Sequence, residues 1–184
     1  ALGAHVTSLT TANPSMVLLL YRRLEQWRAH LTADLMGGTL RHGPAEALDA
    51  QCRKRLERRL ARKVPPIDWS PRAIWPSLGG VNCWTNGPAA YFAGLLRDVL
   101  GPEVPVREVG ITASEGFFAF PVSRHWPGSV LWLGGHVLEF VGSDGQARWA
   151  WELDKGQQYR MVVSTEAGLF RYDLADTVEV VGWC

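Results

Sequence analysis

VSTEAGLFRYDLAD, the stretch from Val163 to Asp176, contains two apolar segments on either side of a turn of small and polar residues. This pattern favours two strands joined by the turn from Ser164 to Gly168. Asp176 follows the second strand, and a carboxylate in that place can accept two hydrogen bonds from the hydroxyls of a ribose. The alternative is an ordinary hairpin with a carboxylate at its surface.

The surrounding residues 116–184 form a β-rich region. Short apolar segments alternate with turn residues such as Gly134-Gly135 and Lys155-Gly156. Short strands at this spacing predict an antiparallel sheet or a half-barrel. The predicted strands are 117–120, 130–133, 137–141, 159–164, 169–172 and 178–181.

Residues 1–115 alternate predicted helices with predicted strands. Helices are expected at 13–35, 44–63 and 88–100, and strands at 4–9, 73–78 and 105–111. This order is typical of an α/β layer with a parallel sheet. We therefore expect an α/β fold in which helices cover a mostly parallel sheet, followed from about residue 115 by the antiparallel region.

The first long helix is predicted to bury one apolar stripe. Asn13 and Pro14 favour its start, because Asn accepts from free backbone N–H groups and Pro fits the first turn. Gly37-Gly38 favours its end. Six residues form the predicted stripe: Val17, Leu20, Leu24, Trp27, Leu31 and Leu35.

A first candidate site lies at Thr112, Ala113, Ser114 and Glu115, where a predicted strand ends. Loops at the carboxyl ends of strands in open α/β sheets form the ligand crevice. The hydroxyl groups can donate to phosphate oxygens, and Glu115 can face a phosphate through Mg²⁺. The alternative is a polar turn with a solvated carboxylate.

A second candidate is the loop from Gly79 to Gly87, which contains Trp84 and Thr85. A flexible backbone there can approach a flat ring or a phosphate closely, and the following helix N-terminus favours anions. The alternative is a plain connection between strand and helix.

Composition excludes several classes of function. The 184 residues include 19 Lys and Arg against 18 Asp and Glu, which gives a net charge of +1 and no global attraction for nucleic acid. The basic side chains at 53–63 are not interleaved with aromatic residues, so a solvated helix face is the better interpretation. The longest apolar run, 16–21, is too short for a membrane span. Three cysteines without metal-ligand or redox spacing favour a cytoplasmic protein.

Several of these segments resemble one family. The stretch 163–176 strongly resembles the late motif of the Gretchen Hagen auxin-responsive acyl acid–amido synthetases, whose usual form is V-x-T-x-x-G-L-Y-R-Y-x-x-G-D. Thr112 to Gly116 is similar to the family's central motif, a run of small residues that ends in Ser-Glu. Leu31 to Leu40 resembles a helix end of the family, and Val137 to Phe140 resembles the strand between its nucleotide motifs. The order and approximate spacing agree over most of the chain.

The resemblance implies part of the large domain of an adenylate-forming enzyme, in the superfamily of firefly luciferase. Such an enzyme uses ATP and Mg²⁺ to adenylate a small-molecule carboxylic acid and then transfers the acyl group to an amine such as an amino acid. Glu115 would help to hold Mg²⁺ at the phosphates, and Asp176 would bind the ribose. The residues implied to line the adenylate, or to pack on adenine or the acyl group, are Thr112, Ala113, Ser114, Trp84 and Thr85.

The chain also departs from the family pattern. Ile111 stands where Tyr usually opens the central motif, Asp173 where a basic residue is common, and Ala175 where Gly is usual. The family's phosphate loop is expected before residue 1, and its lid domain after residue 184. We therefore expect a central fragment with little activity of its own, the alternative being a non-catalytic module that binds a nucleotide or an acyl ligand.

Overall fold

The fold is taken from a computed structural model that describes residues 5–37, 68–123, 126 and 128–183. The chain divides into two units, Ala1–Arg107 and Glu108–Cys184. The boundary therefore precedes Glu108, whereas the sequence suggested a division near residue 115. As a result, the whole segment from Thr112 to Glu115 belongs to the second unit.

The first unit contains a three-stranded parallel sheet, as the sequence predicted. Its strands are β1 (Leu9–Thr10), β2 (Val81–Asn82) and β3 (Val106–Arg107), in the order β1-β2-β3. The central strand β2 follows the pair Gly79-Gly80, in a segment that the sequence had suggested to be a loop. Val81 is completely buried, which places the core of this unit against the middle of the sheet.

The predicted strand at 73–78 is wrong. Pro71–Ile74 instead form a single helical turn, α3, which is capped because Ser70 Oγ accepts a hydrogen bond from Ala73 N at 3.3 Å. Ile74 and Leu78 are buried, so the segment is apolar because it packs in the core. A short apolar run does not by itself distinguish a strand from a buried helical turn.

The predicted helix at 13–35 is two helices, α1 (Ser15–Gln26) and α2 (Arg28–Gly37). Trp27 separates them, with φ −93° and ψ 4°. Its side chain is 51% exposed and Leu20 is also exposed, so the predicted stripe is wrong at these two positions. The start is as predicted, because Asn13 Oδ1 accepts a hydrogen bond from Ser15 N at 2.9 Å.

The face of α1 that packs is rotated from the predicted stripe. Val17 and Leu18 are buried, and Tyr21 and Leu24 pack against the core from a partly exposed position. The residues of α1 that pack against the core end at Leu24. Because Trp27 buries little apolar area, packing does not stabilise a regular helix through that residue.

The helix α4 (Ala89–Leu100) agrees with the prediction of a helix at 88–100. Ala93, Leu96 and Leu100 are buried at helical spacing, and Gly101, with φ +77°, ends the helix. The predicted helix 44–63 and its basic side chains lie outside the described residues. Within the ranges that the structure describes, no helix is long and apolar enough to cross a membrane.

The second unit consists of two antiparallel sheets, which confirms the β-rich prediction. One sheet has the order β4-β5-β6 and the other the order β10-β9-β7-β8. Both contribute to one core, with Phe118 from the first sheet and Phe140, Met161 and Val163 from the second. The strands are β4 (Ile111–Ala113), β5 (Gly116–Phe120), β6 (Val130–Leu131), β7 (Val137–Val141), β8 (Ala147–Arg148), β9 (Gln158–Ser164) and β10 (Tyr172–Glu179).

The two strands predicted at 169–172 and 178–181 are replaced by the single strand β10. Residues 169–171 belong to the turn before it. Asp173 pairs with Val162 and Thr177 pairs with Arg160, so the three residues 174–176 lie opposite a single residue of β9. This bulge includes Ala175 in the left-handed region, at φ +59°, which costs a residue with a Cβ about 1–2 kcal/mol.

Candidate functional site

Thr112, Ala113, Ser114 and Glu115 lie together on the β4–β5 hairpin. Ala113 pairs with Gly116, and Ser114 and Glu115 form the tight turn between the strands. Ser114 Oγ donates to Glu115 Oε2 at 2.9 Å. The expectation that this segment ends a strand of a parallel sheet is wrong, because β4 is antiparallel to β5. Its polar groups are presented by a hairpin turn instead.

His136 packs against this hairpin at Gly116. A Cβ on Gly116 would lie 2.5 Å from His136 Nε2, so only glycine allows the imidazole to come this close. The ring also meets Phe118 edge to face, with centroids 5.8 Å apart. The sequence analysis missed His136, because its isolated position carries no motif that signals the contact.

Glu115 is a single carboxylate at the hairpin turn. It is half-buried, and Oε2 accepts from Ser114 while no described residue donates to Oε1. No group of three His, Cys, Asp or Glu that could hold a metal ion occurs in the described part of the chain. Mg²⁺ is commonly held by one or two carboxylates together with substrate phosphates, and a single carboxylate at this turn fits that pattern.

Asp176 lies in the bulge of β10, in the same unit as the hairpin. Bulges redirect side chains and are frequent next to active sites. The residue is exposed, and among residues 5–37, 68–123, 126 and 128–183 none makes a hydrogen bond or ion pair with its carboxylate. Both oxygens are therefore available to accept hydrogen bonds from a ligand such as a diol.

Trp84 and Thr85 belong to the first unit. They precede helix α4, as the sequence predicted, but they follow the carboxyl end of the parallel strand β2 and not a strand at 73–78. Both are half-buried, and Trp84 N donates to Ala12 O at 2.9 Å, which ties the loop to the segment after β1. Their contribution to a ligand site stays a prediction.

A pocket of about 290 Å³ in the first unit includes none of the predicted site residues. Trp75, Leu78, Leu100 and Val104 form part of its lining, and Arg72 lies at its edge. The candidate residues therefore lie on the β4–β5 hairpin, in the β10 bulge and in the loop before α4, and not in this pocket.

Comparison with known proteins finds similarity to one family. The sequence profile described as the GH3 family central domain matches residues 130–184. A curated relative from Oryza sativa subsp. japonica, named "Probable indole-3-acetic acid-amido synthetase GH3.6", is 26% identical over 157 residues. Residues 130–184 are therefore similar to the GH3 family central domain.

GH3 structures also share the fold. The chain matches the AtGH3.15 acyl acid amido synthetase in complex with 2,4-DB with a TM-score of 0.74 and 20% identity, over 99% of this chain and 34% of that one. A second GH3.15 acyl acid amido synthetase structure matches with a TM-score of 0.73 and 20% identity, over 97% of this chain and 35% of that one. The mixed α/β architecture with parallel and antiparallel sheets is therefore that of part of a GH3 chain.

The chain spans only about a third of the length of its relatives. The match with the rice protein covers 77% of this chain and 30% of that protein. The stretch from Val163 to Asp176 lies inside the matched central domain, whereas the β4–β5 hairpin and Trp84 precede it. Of the candidate site residues, only Asp176, in the late motif, lies within the residues that the family profile matches.

Proposed function

We propose that this chain is part of an ATP-dependent acyl acid–amido synthetase. Its curated relative is named as an acid-amido synthetase, and both structural relatives are acyl acid amido synthetases. The substrates are then a small organic carboxylic acid, ATP and an amine such as an amino acid. We also propose a cytoplasmic location, to which the buried thiol of Cys83 is suited.

The proposed reaction has two steps. A carboxylate oxygen attacks the α-phosphorus of ATP, and the bond to the bridging oxygen breaks, which releases pyrophosphate and leaves an acyl-adenylate. The amine nitrogen then attacks the acyl carbon, AMP leaves with the electron pair of the broken C–O bond, and the nitrogen loses a proton. The protein's main task is to position two anions and to stabilise the charge that develops between them.

The observation that carries this proposal is the exposed, unengaged carboxylate of Asp176 at the β10 bulge. Two oxygens at such a position can accept hydrogen bonds from the 2′ and 3′ hydroxyls of an adenylate ribose. Hydrogen bonds to a charged group are stronger than neutral ones, so one carboxylate suffices to orient the ribose.

The β4–β5 hairpin is assigned to the phosphate end of the nucleotide. Thr112 and Ser114 can donate hydroxyl hydrogens to phosphate oxygens, and Ala113 adds a small side chain that lets the ligand come close. Glu115 would hold Mg²⁺, which when bound supplies positive charge to the phosphate oxygens. Trp84 and Thr85 are assigned to packing on adenine or the acyl group.

Asp176→Ala tests the ribose assignment. Calorimetric titration of the 184-residue chain with AMP and with an acyl-sulfamoyl adenosine should show about tenfold weaker binding in the variant, because charge-assisted hydrogen bonds are lost. Glu179→Ala, which removes another exposed carboxylate of β10, should bind as the unaltered chain does. Equal affinities for Asp176→Ala and the unaltered chain contradict the assignment.

Glu115→Ala tests the phosphate assignment in a full-length protein that contains this chain. Carboxylate-dependent exchange of pyrophosphate into ATP should show a kcat lowered by about 10- to 1,000-fold, because the metal is no longer positioned at the phosphates. Asp176→Ala should mainly raise the KM for ATP in the same assay. Exchange unchanged in both variants refutes the two roles, and nucleotide binding without any exchange identifies a non-catalytic binding module.

A further inference from the structure

The β10 bulge is tied down by Asp173, the residue at which it begins. Asp173 Oδ1 accepts a hydrogen bond from Ala175 N at 3.0 Å, and Oδ2 lies 3.2 Å from Arg160 Nε on β9. One carboxylate therefore binds both the backbone inside the bulge and the neighbouring strand.

The ion pair connects the two ends of the bulge. Asp173 is the last paired residue before the bulge, and Arg160 is opposite Thr177, the first paired residue after it. The contact between Asp173 and Arg160 therefore spans the unpaired residues between them. Both side chains are about half exposed, so the ion pair alone stabilises the bulge only slightly. Most of the stabilisation of the bulge therefore comes from the hydrogen bond between Asp173 and Ala175 N.

The backbone conformation of Ala175 requires a stabilising contact such as this hydrogen bond. Its left-handed backbone is unfavourable for a residue with a Cβ and persists only where the surroundings hold it. A hydrogen bond from an Asp side chain to the N–H group two residues later is a common way to hold a tight turn. Without that acceptor, Ala175 can relax to a right-handed or extended backbone, and the direction of the next side chain changes with it.

We propose that Asp173 is a positioning residue for Asp176. It holds Ala175 in the left-handed conformation and thereby points the Asp176 carboxylate out of the strand ladder towards a bound ribose. This inference rests on the proposed function, in which Asp176 binds the ribose hydroxyls.

The test compares two ligands that differ only in the ribose hydroxyls, AMP and 2′,3′-dideoxy-AMP, by calorimetric titration of the 184-residue chain. Asp173→Ala should weaken AMP binding about fivefold to tenfold and leave dideoxy-AMP binding within about twofold, because only AMP offers the hydroxyls. Asp173→Asn, which keeps an acceptor for Ala175 N, should stay close to the unaltered chain. In an Asp176→Ala background, Asp173→Ala should cause no further loss.

The outcomes separate this inference from the proposed function. If Asp176→Ala weakens AMP binding and Asp173→Ala does not, or if Asp173→Ala weakens both ligands equally, the positioning role is overturned and the ribose assignment stands. If the unaltered chain does not prefer AMP over dideoxy-AMP, the ribose assignment is overturned and the positioning role with it.

Arg160→Gln provides a second variant if Asp173→Ala does not fold, as judged by circular dichroism. It removes one of the two contacts of the Asp173 carboxylate and leaves the hydrogen bond to Ala175 in place. AMP affinity should then fall about twofold to threefold while dideoxy-AMP affinity stays unchanged. Equal losses of AMP and dideoxy-AMP affinity in Arg160→Gln overturn the positioning role, because that role acts only through the ribose hydroxyls.

Discussion

Phe140→Ala should lower the free energy of unfolding of the second unit by about 3–5 kcal/mol. Phe140 is completely buried on β7, in the core that both antiparallel sheets share. Truncation removes the transfer free energy of the ring and leaves a cavity that the surrounding strands fill only in part. Because whole domains are stable by only about 5–15 kcal/mol, this one change removes much of the stability of the unit.

The measurement for Phe140→Ala is urea unfolding followed by far-UV circular dichroism. Phe170→Ala is the matched control, because it removes the same ring from the turn before β10, where Phe170 is 84% exposed. The control should change the free energy of unfolding by no more than about 0.5 kcal/mol. Similar unfolding midpoints for the two variants would show that Phe140 is not a core residue.

Gly110→Ala should destabilise the second unit by roughly 3 kcal/mol and displace the β4–β5 hairpin. Gly110 has φ +96°, and a Cβ there would lie 2.0 Å from Ala119 O, a backbone atom of β5. The backbone cannot move aside without disturbing the pairing of Ile111 with Ala119. The variant therefore combines an unfavourable backbone conformation with a steric clash against a paired strand.

Two control variants separate these terms in urea unfolding. Gly145→Ala imposes a similar left-handed backbone, at φ +76°, with no atom within 4 Å of the new Cβ, so it should cost only about 1–2 kcal/mol. Gly94→Ala in α4 involves neither a left-handed backbone nor a steric clash, so it should stabilise the chain by about 0.5–1 kcal/mol. A loss for Gly110→Ala no larger than that for Gly145→Ala would falsify the close approach of Gly110 to β5.

The sequence predicted the elements whose signals are local. Helix α4 and strand β7 agree with their predicted positions, because a helical repeat and an apolar run between glycines are both read within one segment. The parallel sheet and the antiparallel region were also predictable, since the order of helices and strands favours them. The resemblance to GH3 enzymes was carried by the late motif, which lies inside residues 130–184, the part that the GH3 central-domain profile matches.

The errors arise where distant contacts decide the structure. Residues 73–78 are apolar enough for a strand, yet the cap by Ser70 and the burial of Ile74 favour a helical turn. The stripe of α1 is rotated because the core contacts Leu18 and Tyr21 rather than Leu20 and Trp27. The β10 bulge was not predicted, since its register depends on pairing with β9.

The residues of the candidate site were chosen from the sequence and stay a prediction, whereas their geometry required the structure. Thr112 to Glu115 and Asp176 were found by motif, whereas their placement on a hairpin turn and in a strand bulge required the structure. His136 and the contact of Asp173 with Arg160 carried no sequence signal, because each depends on side chains that approach only in the folded chain.

The close packing of His136 on Gly116 makes the imidazole a natural spectroscopic reporter. The ring lies next to the residue that follows Glu115, where a Cβ would be 2.5 Å from His136 Nε2, so we expect a rearrangement of the turn to change the surroundings of the imidazole. Nuclear magnetic resonance signals of the imidazole carbon-bound protons would therefore test the proposed binding of a nucleotide at the neighbouring turn, with no label or substitution introduced at the turn itself.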